Sequence, residues 1–264
     1  MRLAVIADIH GNLIALETVL ADLEQSGGWD HLWMLGDVAA FGARPAECIR
    51  RIKGLADAAE ANGKKHTVRF VRGNTDRYLV TGARPQSKPA DDQEALEKLR
   101  KTAAINNAAL LWGLGQLEYA DYEVLKKLGS ECDLHVPGYG YVIGYHGTPG
   151  DDEGMHIMPN TPDEEAADAL LDREGRLGIG AHIHVQMDRM LPGDWRAINV
   201  GSVGMSFDKP GYAEFGIFTF EGSDVQVDLR SIPVDVEAAI ADLAAVGYPS
   251  IDFIADRYRN GVKS

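Results

Sequence analysis

Three short apolar runs open the chain, and each stops at side chains able to do chemistry. Residues 3–7, 31–35 and 67–71 have the length and composition of strands. They end in Asp8-Ile9-His10-Gly11, in Gly36-Asp37 and in Gly73-Asn74-Thr75-Asp76. Between them the apolar spacing turns helical. Leu13, Leu16, Leu20 and Leu23 predict one helix, closed by Ser26-Gly27-Gly28. Pro45 opens a second, with Ile49, Ile52 and Leu55 on its apolar face and Asn62-Gly63 at its end. Successive β–α units imply a parallel sheet covered on both faces. Such sheets bind ligands beyond the carboxyl ends of their strands, where all three polar stops fall.

From about residue 82 to residue 129 the pattern changes. Pro85, Ser87 and Pro89 mark a loop, and helical sequence follows over 92–111 and 116–128. This predicts a helical insertion beside the ligand edge, either a lid or a plain packing pair. The second half reads as strands. Residues 141–145 end in His146-Gly147, and residues 177–180 run into Ala181-His182-Ile183-His184. Residues 187–191 and 195–200 flank Pro192-Gly193-Asp194 as a hairpin, and 215–220 with 225–229 form another. Thr161-Pro162-Asp163-Glu164 has the form of a capping box opening a helix to Leu171. A last helix over 236–246 precedes a polar tail. The expected α/β architecture is two sheets face to face between helices. It occupies one domain, 1–264, with the C-terminal helix and tail from about 233.

Composition narrows the partners. A formal net charge of −14 argues against stable nucleic-acid binding. No apolar run nears the ~20 residues needed to span a bilayer. The first run is too short for a signal peptide, and Cys48 and Cys132 lie too far apart in sequence to suggest a disulfide framework, so a reducing cytoplasm is expected. An acidic protein that binds phosphate needs a local positive centre, such as metal ions.

Asp8, His10, Asp37, Asn74, His146, His182 and His184 all stand at predicted strand ends. Each alone has an ordinary reading: a capping Asp, a turn, a hydrogen-bonded His, two residues on one face of an edge strand. Four of the eight histidines nevertheless occupy such ends, whereas His31, His66, His135 and His156 do not and read as surface or packing residues. Imidazole, carboxylate and amide without thiolate suit Mn²⁺, Fe, Zn²⁺ or Ni²⁺ with open positions, and Mn²⁺ is favoured. Seven donors divide over two ions sharing a carboxylate, an arrangement that clamps a phosphoryl group between ions ~3.5–4 Å apart.

The order Asp-x-His, Gly-Asp, Gly-Asn-x-Asp, His-Gly and His-x-His resembles the calcineurin-like metallophosphoesterase superfamily, from residue 3 to about residue 220. It is most similar to the small prokaryotic phosphodiesterase branch, which also carries the pattern seen here as Asn199-Val200-Gly201-Ser202-Val203-Gly204. The resemblance implies a four-layer α/β/β/α sandwich. It implies that Asp8, His10 and His184 bind one divalent metal, that Asn74, His146 and His182 bind a second, and that Asp37 bridges them. Asp37, Asn74 and His146 count as catalytic, with a metal-bridging hydroxide attacking phosphorus in line. Asp76 is expected to orient the Asn74 loop without touching metal, and Phe41 and Arg44 are candidate substrate-pocket residues. Lys209 and Arg189 read as ordinary solvated charges.

Two departures stand out. Ala181 separates Gly180 from His182, where the family has Gly-His-x-His. Thr75 occupies the position at which the phosphatase branches carry a His that protonates the leaving group. The expected activity is hydrolysis of a small phosphate ester or nucleotide, with a diester favoured. Monoester or dinucleoside polyphosphate hydrolysis and a non-catalytic scaffold are the alternatives. The oligomeric state is left open.

Overall fold

Two five-stranded sheets stack face to face in the computed structural model, which describes residues 1–262. The first contains β1 (Arg2–Ile6), β2 (His31–Leu35) and β3 (Val68–Val71), all parallel. Antiparallel β9 (Tyr212–Glu221) and β10 (Asp224–Pro233) extend it beside β1. In the second, β5 (Gly140–Tyr145), β6 (Leu177–Gly180) and β8 (Trp195–Val200) are parallel. Its antiparallel edges are β4 (Glu131–Val136) and β7 (Gln186–Leu191).

Strand alternation builds the layers. Leu3, Val5 and Ala7 point between the sheets, where they meet Trp33, Ile179 and Ile198. Ala4 and Ile6 point the other way, against α1 (Leu13–Gln25) and α2 (Pro45–Ala61). Burial on both sides explains why the first three strands read as unbroken apolar runs. On the far face of the second sheet, Ile143, Tyr145 and Met187 pack against Ala166 and Ala167 of α6 (Asp163–Asp168). The result is the expected α/β/β/α sandwich.

The insertion is helical as predicted, with α4 (Gln93–Gly115) and α5 (Tyr119–Lys126). Leu110 and Leu125 fasten these helices to the outer core. Three elements were not expected: β4, the helix α3 (Asn74–Thr81) that starts directly at Asn74, and α8 (Ile251–Asn260). The polar tail is thus mostly a helix, packed through Ile254 and Tyr258 against Leu243 of α7 (Val236–Ala245) and against Met205. The last two residues of the expected tail lie outside the described residues. The helix expected to reach Leu171 ends at Asp168, and no side chain caps it. Thr161 Oγ1 instead accepts from Met158 N at 3.2 Å. Among the described residues no helix is long and apolar enough to cross a membrane.

Candidate metal centre

The parallel strands of both sheets end on one edge, where the seven strand-end donors meet. Asp8 and His10 follow β1, Asp37 follows β2, Asn74 follows β3, His146 follows β5, and His182 and His184 follow β6. Donor atoms of Asp8, His10 and His184 lie within 4.8 Å of one another, and so do those of Asp37, His146 and His182. Asp37 sits between the two groups, its Oδ2 3.8 Å from His10 Nε2 and 3.6 Å from His146 Nε2.

Holding these groups strains the backbone. Eight non-glycine residues have positive φ among the described residues, and six belong here: Asp8 (52°), His10 (49°), Asp37 (56°), Phe41 (72°), His182 (77°) and His184 (57°). Left-handed backbone is costly for side chains other than Asn and Asp, and such strain concentrates at functional sites. The surrounding chain over-determines it. Ser202 Oγ and Gly204 N both donate to Asp8 O at 2.9 Å, and Asn199 Nδ2 donates to Ala181 O at 2.8 Å. The 199–204 segment therefore laces the Asp8 turn to the His182 turn. The Asp76 carboxylate accepts N–H bonds from Asp37 (2.8 Å), Val38 (3.0 Å) and Gly73 (3.1 Å), fixing the Asp37 and Asn74 turns together.

Gly73 shows how closely these turns approach. A Cβ there would collide with Asp37 Oδ1 and the Asp37 backbone nitrogen. Gly73→Ala is expected to cost about 1–3 kcal/mol of stability by overpacking. It should also weaken Mn²⁺ binding by moving Asp37. Thermal melts and a metal titration check this, and native values for both would show that the approach is not required.

The protonation pattern marks the cluster as a cation site. His10 Nδ1 faces Ala40 O at 2.9 Å, His146 Nδ1 faces Leu35 O at 2.8 Å, and His184 Nδ1 faces Met205 O at 2.6 Å. A carbonyl only accepts, so each Nδ1 carries a proton and each ring turns its Nε2 inward. Burial opposes charge on these rings, but the Asp37 and Asp8 carboxylates outweigh it and raise the pKa of His146 and His184. Two of those nitrogens, on His10 and His184, stand 3.1 Å apart, and His146 Nε2 stands 3.0 Å from Asn74 Oδ1. Asp8 Oδ1 is buried without a hydrogen-bond partner, 3.4 Å from His184 Nε2. Imidazole nitrogens and carboxylate oxygens converging at these distances need positive charge among them, either protons on the rings or cations in their place. The donors present therefore fit two divalent ions.

Burial depresses the pKa of His10, and it brings that of His182 down to about 4 with help from neighbouring His146. Both rings are then neutral near pH 7, the form that binds metal. Burial alone would raise the Asp8 carboxyl, but His184, His146 and His10 hold it well below the usual carboxylate range. Burial and the Asp37 charge push Asp76 up to about 7.

A cleft of about 490 Å³ opens over the cluster. Phe41 lines it. Arg44 does not: its Nε donates to both carboxylate oxygens of Asp242, at 3.0 and 2.9 Å, so it ties α2 to α7. Thr75 lies on the cleft wall, buried, with its hydroxyl unpartnered and its N–H donated to Asp37 Oδ1 at 2.9 Å. Cleft residues that the sequence reading did not single out are Asn106 from α4, Met155 and Phe207 from loops, and Phe253 and Arg257 from α8. The 3–4 spacing of Ile251, Ile254, Ala255 and Tyr258 was the available signal for α8.

Residues 1–186 match the family described as calcineurin-like phosphoesterase. An uncharacterized protein of Methanocaldococcus jannaschii is 25% identical over 251 residues, spanning 90% of this chain and 89% of its own. A symmetrical bis(5′-nucleosyl)-tetraphosphatase of Actinobacillus pleuropneumoniae is 27% identical over 110 residues, 40% of this chain and 37% of that enzyme. Among solved structures, a hypothetical protein of Pyrococcus horikoshii superposes with TM-score 0.76 at 21% identity, covering 99% of both chains. A metallophosphoesterase of Sphaerobacter thermophilus gives 0.69 at 22% identity, covering 98% of both. These two likenesses establish the shared fold.

Proposed function

We propose that this chain, which belongs to the calcineurin-like phosphoesterase family, is a phosphodiesterase that works with two divalent metal ions. Asp8, His10 and His184 would hold one ion, Asn74, His146 and His182 the other, and Asp37 would touch both. The inward-facing Nε2 atoms of His10, His184 and His146, converging on Asp8, Asp37 and Asn74, carry this reading. The bound ions supply Lewis acidity and an acidified water. The protein's part is positioning. Asp76 and the Thr75 N–H fix Asp37 through backbone bonds, and carbonyls of Ala40, Leu35 and Met205 set three imidazole tautomers. Phe41 and Phe207 crowd the His10 and His184 rings, at centroid distances of 5.9 and 4.2 Å, and keep bulk water from that side.

A donor set without thiolate favours Mn²⁺, with Fe, Zn²⁺ and Ni²⁺ as alternatives. The preference for a diester rests on the resemblance and on Thr75. The partial match to a bis(5′-nucleosyl)-tetraphosphatase supports a nucleotide substrate as a second reading. A scaffold without metal is disfavoured, because so many buried polar groups gathered at one point are costly to a fold that gains nothing from them. Buried, unpaired Cys48 and Cys132 agree with a cytoplasmic setting.

Ions that bind only the folded state stabilise it, by about 2.7 kcal/mol per site at a hundredfold excess over Kd. With both sites filled, Mn²⁺ added to chelator-stripped protein should therefore raise the melting temperature by ~10–20 °C. It should also switch on hydrolysis of bis(p-nitrophenyl) phosphate. Melting and turnover both insensitive to Mn²⁺, Zn²⁺, Fe²⁺ and Ni²⁺ would overturn the metal reading.

A further inference from the structure

Arg257 is the one Lys or Arg side chain lining the cleft among the described residues. The chain has 40 acidic and 26 basic residues, so carboxylate partners are plentiful. Arg44 pairs with Asp242, Arg77 with Asp152 and Arg173 with Glu131. Arg257 pairs with no carboxylate among the described residues. One of its N–H groups donates to Phe253 O, at 3.3 Å, and its Cζ lies 3.5 Å from the centroid of the Phe253 ring. Burial lowers its pKa, whereas hydrogen bonds to carboxylates raise those of Arg44, Arg77 and Arg173.

A guanidinium lying over an aromatic ring still has edge N–H groups to offer beyond the one bonded to Phe253 O, and such an edge matches an anion with two oxygens. Its place relative to the centre is fixed by the backbone. Gly261 N donates to Arg257 O (2.9 Å), Val262 N to Phe207 O (3.1 Å), and Phe207 N to His184 O (3.1 Å). The end of α8 is thus fastened to the loop that carries His184. The cleft wall also carries the apolar side chains of Met155, Met158 and Phe207.

We propose that Arg257 is the recognition residue for a second anionic group of the substrate, removed from the reacting phosphorus. Phosphate esters that carry a further phosphate are then preferred over single-phosphate esters. The proposal rests on the metal-centre reading for where the reacting phosphate lies, and the test separates the two.

The probes are methylphosphonate and 1,3-propylenediphosphonate, stable anions that differ by one phosphonate carried on a three-carbon tether. Their affinities for Mn²⁺-loaded native, Arg257→Met and Arg257→Lys proteins are measured by calorimetry at fixed free Mn²⁺. The preference for the diphosphonate should fall about 10–100-fold in Arg257→Met, the range for losing a charged hydrogen-bonded contact. It should fall less in Arg257→Lys, which keeps the charge and loses the fork. Methylphosphonate affinity should stay within about twofold in both, since the metal centre is untouched. An unchanged preference in Arg257→Met overturns the proposal, as does a lowered melting temperature with that preference intact, which would make Arg257 a purely structural partner of Phe253. Methylphosphonate binding that survives chelation overturns the metal reading instead, and the change in preference still decides the role of Arg257.

Discussion

Asp37→Asn protein is expected to lose both metals and to hydrolyse phosphodiesters at least about 10³-fold more slowly, the upper range for removing one preorganised electrostatic element. It should do so without unfolding. The substitution is isosteric, and an amide oxygen can still accept the Thr75 N–H that Asp37 Oδ1 now accepts at 2.9 Å. The other carboxylate oxygen lies between His10 Nε2 and His146 Nε2, at 3.8 and 3.6 Å. An amide nitrogen there brings hydrogens where the native site brings negative charge. It would donate toward imidazole lone pairs that otherwise await a cation, and a neutral amide bridges two cations poorly. Metal-free Asp37→Asn protein should therefore melt at or above the temperature of the metal-free native protein, while the gain on adding Mn²⁺ disappears. Elemental analysis, melting with and without Mn²⁺, and turnover together test this. Two ions per chain in the variant would sink the assignment of Asp37 as the shared ligand.

The strands that carry these donors were legible because burial on both faces writes them as continuous apolar runs. A polar residue that ends such a run is conspicuous. Asp8, His10, Asp37, Asn74, His146, His182 and His184 could thus be singled out before their distances were known. Which donors share an ion depends on how two sheets abut, and no local pattern encodes that. Arg44 shows the limit from the other side. Its nearness in sequence to Asp37 suggested the pocket, but its partner Asp242 lies 198 residues away. β4 and α8 were missed because polar and charged residues dilute their apolar periodicity: Glu131, Asp133 and His135 in one, Asp252, Asp256, Arg257 and Arg259 in the other. Their elements form because they dock, β4 along β5 and α8 against α7. The Thr161 capping box failed for a local reason, since the same hydroxyl serves the preceding turn.

Aryl esters should be hydrolysed far faster than alkyl esters of the same charge, because the cleft offers no evident proton donor at Thr75. Its hydroxyl lines the cleft, buried and without a hydrogen-bond partner. Yet a threonine hydroxyl is too weak an acid to protonate an alkoxide as it leaves. A well-placed general acid is typically worth ~10²–10⁴-fold. An aryloxide departs as a stabilised anion and forfeits little of that. kcat/KM across a series of aryl and alkyl diesters should thus rise steeply as leaving-group pKa falls. Thr75→His places an imidazole at the same point of the wall, in the first turn of α3. If its ring reaches the leaving oxygen, alkyl esters should gain most and aryl esters almost nothing, which flattens the dependence. The ring would sit near a helix N-terminus, which disfavours its protonated form. The gain should therefore be largest at mildly acidic pH and fade as pH rises and the imidazolium is lost. A shallow dependence in the native protein, with single-turnover measurements showing that bond cleavage limits the rate, would mean that another group already delivers the proton.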